Sequence, residues 1–155
     1  MCLRCDGYSE EEVERSLDLG IRVNGWTATQ ISDDGERGWT YTLGMNERLD
    51  HPDLIILDAP IDIQAKIVSW LADKVCDDGD LDERDLEGNG IELLPVHPDQ
   101  LTGGLVAQWS HRYRRFPAAG EFLQVLPPKH LFCACHAQQR RRLDAPPGGR
   151  PPESA

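Results

Sequence analysis

The chain has 155 residues and a mass of 17.4 kDa, with 39% hydrophobic and 28% charged side chains and a formal net charge of −11. This length suits one domain with a single core, and the composition is that of a globular protein. No apolar run approaches the roughly 20 residues that span a bilayer, so the sequence argues against a membrane-inserted protein.

The charge is unevenly distributed along the chain. Residues 1–100 carry 24 acidic and 8 basic side chains, whereas residues 101–155 carry 3 and 8. A polyanion would be repelled by the larger part, so nucleic-acid binding is disfavoured, and the basic residues can equally contact the acidic part or a protein partner. The N-terminal residues lack the pattern of a secretory signal, which predicts a cytoplasmic protein.

The first predicted element is a short helix after the N-terminal cysteines. Ser9 followed three residues later by Glu12 forms the pattern of a capping box, which begins a helix. Val13 and Leu17 then share one face, and Gly20 is the expected end of the helix.

Two β-rich runs follow, IRVNGWTATQIS at residues 21–32 and WTYTLGM at residues 39–45, with DDGE between them. This arrangement predicts an antiparallel hairpin. The compact apolar run HPDLIIL at residues 51–57 predicts a strand that is buried in a sheet.

A long amphipathic helix is predicted from Pro60 to about Cys76. Its apolar residues recur at helical spacing and are expected to face the sheet: Ile63, Ile67, Trp70, Leu71 and Val75. The acidic run at residues 77–90 predicts a solvated loop, since it does not reproduce the spacing of an EF-hand.

The last third contains a predicted strand at residues 91–96, a helix over LVAQWSHRYRRF and a final strand over EFLQVLPP. The helix is expected to place five residues on one face: Leu105, Trp109, Arg112, Tyr113 and Phe116. Residues 138–155 are rich in Pro, Gly and Arg, which predicts a disordered tail after a single globular domain of residues 1–137.

These elements predict an α+β domain, with a mainly antiparallel sheet whose one face is covered by helices. The sequence contains neither a G-x-G-x-x-G motif nor a P-loop motif. No nucleotide cofactor is therefore predicted.

Four motifs appear in order: CLRCD at residues 2–6, GWTAT at 25–29, GWTYTLGM at 38–45 and HPDL at 51–54. This set resembles the bacterial family called domain of unknown function 4262, over roughly residues 1–76. The resemblance implies a compact bacterial domain. It implies no reaction, because the family has no assigned activity.

The five cysteines allow three interpretations. An odd number in a cytoplasmic chain argues against a disulfide framework. Cys2 and Cys5 have zinc-ligand spacing, and Cys133 with Cys135, next to His136, could complete a shared tetrahedral site. We rank free thiols first, a zinc site of Cys2, Cys5, Cys133 and Cys135 second, and a redox pair third, so zinc is the one cofactor under consideration.

Three residues near the predicted strand ends are weak catalytic candidates: Tyr41, His51 and Asp53. An imidazole titrates near neutral pH, so His51 could act as a general base. The simpler interpretation, which we rank first, is a turn histidine that bonds the backbone. Trp39 and Tyr41 share one strand face and could form the wall of a pocket.

The sequence as a whole favours a binding or accessory module that contacts an unknown protein or small molecule. One alternative is an enzyme with a pocket near Trp39, Tyr41 and His51. Another is a zinc-stabilised interaction module. A concave pocket that holds His51 beside a second titratable group would favour the enzyme, whereas a flat exposed apolar patch would favour the module.

Overall fold

The computed structural model describes residues 7–32, 38–131 and 141–147. Within these ranges the strands are β1 (Thr27–Ser32), β2 (Gly38–Leu43), β3 (Asp53–Leu57), β4 (Glu92–Pro95) and β5 (Phe122–Leu126). They form one sheet in the spatial order β1-β2-β3-β5-β4, in which β3 and β5 are parallel and the other neighbours are antiparallel. The predicted α+β class with a mainly antiparallel sheet is confirmed.

The α-helices of the described ranges are α1 (Glu10–Asn24), α2 (Met45–Arg48), α3 (Ile61–Asp78), α4 (Glu83–Gly88) and α5 (Ala107–Tyr113). Short 3-10 turns lie at Pro98–Leu101, Gly104–Val106 and Lys129–Leu131. None of these helices combines the length and apolarity needed to cross a membrane.

Helices lie on both faces of the sheet, and not on one face as the sequence suggested. Successive residues of a strand point to opposite faces. On β3, Ile55 and Leu57 join a core cluster with α1 and α5, whereas Leu54 and Ile56 join a second cluster with α3 and α4. The sheet is therefore the middle layer of the domain, and β3 is buried on both sides.

Helix α1 begins as predicted but ends later. Ser9 and Glu12 form the capping box, and the helix continues past Gly20 to Asn24, where Gly25 adopts a φ of 83°. A Cβ atom on Gly20 would lie 2.9 Å from Cβ of Thr27. Gly20 therefore allows α1 to approach β1 closely and does not end the helix.

The buried face of α3 is rotated from its predicted position. Leu71 and Val75 are buried as expected, but Ile63, Ile67 and Trp70 are partly exposed, and the other buried residues are Gln64, Val68 and Ala72. The reason is Gln64, which bonds the hydroxyl of Thr40 and the carbonyls of Gly38 and Ala59 at 2.8–2.9 Å. A polar residue that is satisfied inside the core cannot be found from hydrophobic spacing alone.

Two further predictions need correction. The acidic run holds the short helix α4, whose N-cap Asp82 accepts a hydrogen bond from the Arg84 amide at 2.9 Å. On α5, Trp109 is buried as expected, but Phe116 lies beyond the helix and is 55% exposed.

Part of the segment assigned to the tail contacts the sheet. Leu143 is buried in the cluster of α1 and α5. Its amide donates to Oε1 of Gln124 at 2.7 Å, and its carbonyl accepts from the His97 amide at 2.7 Å. The domain boundary at residue 137 stays a prediction, because residues 132–140 lie outside the described ranges.

Candidate functional site

Asp53 is a fully buried carboxylate at the start of β3. Its Oδ1 accepts from the Thr42 hydroxyl at 2.7 Å and from the Met45 amide at 3.1 Å. Its Oδ2 accepts from Nε1 of Trp109 at 2.9 Å and from Nδ2 of Asn46 at 3.0 Å. One side chain thus links β3 to β2, α2 and α5.

Burial is the main influence on the protonation of Asp53. It raises the pKa of this carboxyl, while the hydrogen bonds from Trp109, Thr42 and Asn46 oppose the rise. All four donors stabilise the charged form, as expected for a buried carboxylate that holds elements together. Asp53 was predicted as a weak catalytic candidate, and its contacts place it inside the fold.

Tyr41 and Trp39 both bind the backbone that leads into α5. The Tyr41 hydroxyl accepts from the Gln108 amide at 2.9 Å, and Nε1 of Trp39 donates to the Leu105 carbonyl at 2.7 Å. Burial raises the pKa of Tyr41 to about 12, so its hydroxyl stays protonated at neutral pH. These side chains position the 105–108 segment over β2.

His51 lies two residues before Asp53, where the chain enters β3. Its Nδ1 is 2.8 Å from the Pro52 carbonyl, and its Nε2 is 3.5 Å from Oδ1 of Asp80. The ring is buried, and the backbone of Met45 bonds both residues, since its carbonyl accepts from the His51 amide and its amide donates to the Asp53 carboxylate. The three catalytic candidates are thus neighbours in the fold, yet each bonds its own set of partners.

A polar cluster joins α1, α2 and α5 at the surface. Arg112 bonds Asp18 at 3.3 Å and Glu47 at 3.2 Å, and the Tyr113 hydroxyl donates to Glu47 at 2.8 Å. His111 contacts Glu14. The cluster links basic residues of the last third to acidic residues of the first hundred, as the charge distribution suggested.

A surface pocket of about 230 Å³ lies beside this cluster. It is lined by Glu10, Glu14, Ala107, Gln108 and His111. The predicted catalytic candidates do not line it. It is partly open to solvent.

The outer side of β1 forms a different kind of surface. β1 is an edge strand, and within the described ranges it pairs with β2 alone. None of its six residues is charged. Beside it, α1 exposes Leu19 by 56% and Val23 by 70%. We call strand β1 together with Val23 the β1 surface.

Helical geometry turns Leu19 and Val23 away from the buried face of α1, which consists of Val13, Leu17 and Ile21. Glu14 and Asp18 contact α5, so their flank of α1 faces the middle of the sheet. At 100° per residue, Val23 lies about 120° from Leu17 on the other flank, and Leu19 lies about 160° from it. Val23 is therefore turned toward the open edge of the sheet, whereas Leu19 points mainly away from the sheet.

The predicted zinc ligands Cys2, Cys5, Cys133 and Cys135 lie outside the described residues, as does His136, and the zinc site stays a prediction. Among the residues that are described, no group of three His, Cys, Asp or Glu side chains could hold a metal ion. Cys76 is an exposed free thiol.

Sequence reasoning missed several residues that organise this region. Thr42 and Trp109 hold Asp53, and Asn46 bridges Asp53 to the Glu121 carbonyl at 2.9 Å. The hairpin pattern predicted β2 as a strand, and the structure buries it on both faces, with Thr40 and Thr42 on one face and Tyr41 on the other. A threonine that recurs at every second position of an otherwise apolar strand is the one signal that could have indicated a buried polar network.

The model of the family described as Domain of unknown function (DUF4262) matches residues 20–130 of this chain. The match includes Tyr41, His51, Asp53, Trp109 and all of β1. A search of curated proteins and a search of solved structures each gave no match.

Proposed function

Because the chain belongs to the DUF4262 family, whose description assigns no reaction, we propose from its geometry that it is a binding module that takes a protein partner at the β1 surface. The observation that carries this proposal is an uncharged edge strand, bordered by the exposed apolar side chain of Val23 on α1.

An edge strand offers a row of backbone donors and acceptors to an added strand. Such strand addition is a recurring mode of protein recognition, in which main-chain hydrogen bonds give affinity and neighbouring side chains give specificity. Val23, on the flank of α1 that is turned toward this edge, would supply an apolar contact beside the added strand. The domain requires no reactive group for this role.

The alternative is an enzyme that uses Tyr41, His51 and Asp53. It requires these groups to meet one substrate. Asp53 already accepts four hydrogen bonds, and the Tyr41 hydroxyl is buried against Gln108. The polar atoms of Asp53 and Tyr41 already bond other parts of the fold, which supports the binding module over the enzyme.

The second alternative, a zinc-stabilised interaction module, concerns cysteines outside the described ranges. It is compatible with the β1 surface, because a structural zinc ion would stabilise the domain without using that surface. A cytoplasmic location and a bacterial source stay predictions of the sequence.

Capture from the protein's own cell extract tests the proposal. The tagged full chain is compared with Val23→Glu, whose side chain is 70% exposed, and with Phe116→Glu, a control whose side chain is 55% exposed. We expect the wild type and Phe116→Glu to retain one protein in fixed ratio, and Val23→Glu to lose it. Equal retention by all three, or by none, would contradict binding at the β1 surface.

A further inference from the structure

We propose that residues 141–145 occupy a peptide-binding groove as an internal ligand, which a segment of another protein replaces if it carries a basic residue two positions before a leucine. The groove lies on the face of the sheet that α1 and α5 cover, because its Gln124 shares that face of β5 with Phe122. Two strands separate β5 from β1, so this site is distinct from the β1 surface and the inference goes beyond the function proposed there.

The groove binds the backbone of the segment. Gln124 is 1% exposed and uses both atoms of its amide, since Nε2 donates to the Arg141 carbonyl and Oε1 accepts from the Leu143 amide, both at 2.7 Å. The His97 amide donates to the Leu143 carbonyl, also at 2.7 Å. These bonds involve no side-chain atom of Arg141 or Leu143, so another segment in the same conformation would form them as well. Main-chain bonds of this kind give affinity in peptide recognition.

Two side chains of the segment contact groups that select them. Nε of Arg141 lies 3.5 Å from Oδ1 of Asp58, and the Arg141 amide donates to Oδ2 of Asp58 at 2.8 Å. Leu143 is 6% exposed and lies in the apolar cluster of α1 and α5. The net charge of −11 adds a long-range attraction for a basic segment. The groove therefore selects a cation and a leucine-sized apolar side chain that are two positions apart.

The segment is able to leave the groove while the sheet stays intact. Residues 141–145 belong to none of the strand pairs, and β5 keeps β3 and β4 as its neighbours without them. Leu143 is the one buried residue among these five. Local opening of such a segment requires less free energy than global unfolding. A competing segment binds the open form, so its apparent affinity is reduced by the fraction of chains that are open.

Fluorescence anisotropy of a labelled peptide tests this exchange. The probe has the sequence of residues 140–147, RRRLDAPP, and is titrated with the full chain. Leu143→Ala in the full chain weakens the internal ligand and leaves Asp58, His97 and Gln124 of the groove unchanged. We expect this variant to bind the probe at least about tenfold more tightly than the wild type does, because loss of a buried leucine side chain increases the fraction of open chains.

The control peptide carries the same Leu143→Ala change and keeps the charge of the probe. It should bind the Leu143→Ala chain at least about tenfold more weakly than the probe does, since it lacks the apolar side chain that the groove buries. Equal binding of the two peptides would mean that charge alone attracts them. Equal binding of the probe by the two chains would mean that residues 141–145 do not compete for its site. Either result overturns the inference.

Hydrogen exchange on the wild-type chain provides a test that needs no substitution. The amides of Arg141 and Leu143 should exchange at least about tenfold faster than the slowest amides of β5, because the segment opens locally. An excess of the probe should speed their exchange further, since it occupies the groove while the segment is out. Exchange at the rate of the slowest β5 amides would show that the segment is a fixed part of the fold, which overturns the inference even if Leu143→Ala fails to fold.

Val23→Glu separates this site from the β1 surface. The substitution lies outside the groove, so probe binding and the exchange of the Arg141 and Leu143 amides should match those of the wild type. A loss of probe binding in Val23→Glu would place the peptide at β1 and overturn the groove. Extract capture tests the β1 surface independently, so the two proposals fail in different experiments.

Discussion

Strand β4 ends one edge of the sheet with four residues that include Glu92 and Pro95, whereas β1 at the other edge has six residues and neither a charge nor a proline. Short length, charge and proline are the features by which natural sheets prevent unwanted strand pairing. β4 carries all three and β1 none. One edge is therefore protected against a partner strand, and the other is open to one.

The chain also holds the segment that directly follows β4. Val96 still bonds inward to the Phe122 carbonyl of β5, while the next amide, that of His97, bonds the Leu143 carbonyl on the other side. Residues 141–145, which we call the C-terminal strap, thus take up a backbone donor that would otherwise face outward. No described segment does the same for β1.

The largest expected effect comes from removing the strap. Truncation after Arg142 deletes Leu143, which is 6% exposed, and should lower the free energy of unfolding by about 3 kcal/mol or more. Truncation after Pro147 keeps the strap and should change little. Urea unfolding of both variants measures the difference, and equal stability of the two would show that the strap does not stabilise the β4 edge.

A smaller decrease in the free energy of unfolding is expected when the strap loses its main side-chain partner, Gln124. Gln124 is buried, donates to the Arg141 carbonyl and accepts from the Leu143 amide, both at 2.7 Å. Gln124→Ala should lower the free energy of unfolding by about 1–3 kcal/mol, because it leaves the buried Leu143 amide without its partner and also removes the bond to the Arg141 carbonyl.

Gln100→Ala is the matched control for that variant. Gln100 donates to the Ala145 carbonyl at 2.7 Å but is only partly buried, so water can replace its bond. Gln100→Ala should therefore lower the free energy of unfolding, measured in urea, by less than Gln124→Ala does. A cost as large as that of Gln124→Ala would show that the strap is fixed at Ala145 rather than at Leu143.

A third prediction concerns acid. The hydrogen bond from Arg142, at 2.9 Å, lowers the pKa of Asp144 below its usual value of 3.8. A lowered folded pKa means that the pair stabilises the fold above the unfolded pKa and loses this effect as pH falls through the folded value. Asp144→Asn should therefore cost about 0.5 kcal/mol near neutral pH, a modest value because Arg142 is 42% exposed.

The difference between wild type and Asp144→Asn should shrink in unfolding experiments as pH falls below 3.8, and it should vanish once Asp144 is protonated in the folded chain as well. A difference that is constant with pH would assign the effect to packing and not to charge. No β1 variant should show this acid dependence, since β1 has no titratable side chain.

Local patterns in the sequence were enough for the elements of the β1 edge. The capping box at Ser9, the hairpin runs and the uncharged β1 are all short-range features, and the structure contains each of them. The sequence did not predict where α1 ends. Gly20 matches the pattern of a helix end, but its role is to allow close contact with Thr27 of the next element, and helical periodicity does not show that contact.

The β4 edge and the interior of the candidate site could not be predicted from short-range features. Leu143 is a single apolar residue in a Pro- and Arg-rich segment, so composition predicted disorder, and its burial depends on Gln124 at a separation of 19 residues. Asp53 was selected for its chemistry, but its role is set by Trp109, 56 residues away. Periodicity carries no information about such partners.

The smallest expected effect on stability is at the β1 edge itself. Val23 is 70% exposed on the flank of α1 that is turned toward this edge, so Val23→Glu should change the free energy of unfolding by no more than about 0.5 kcal/mol. The measurement is urea unfolding. The substitution to compare with it, Leu143→Glu, would place a carboxylate at a buried apolar position and should prevent stable folding of the strap. A sheet with one edge reserved for a partner requires this contrast, since the side chains of a binding surface are exposed in the free chain and tolerate substitution. A large loss of stability in Val23→Glu would instead mean that Val23 supports the fold, and its position on α1 would then have a structural explanation that needs no partner.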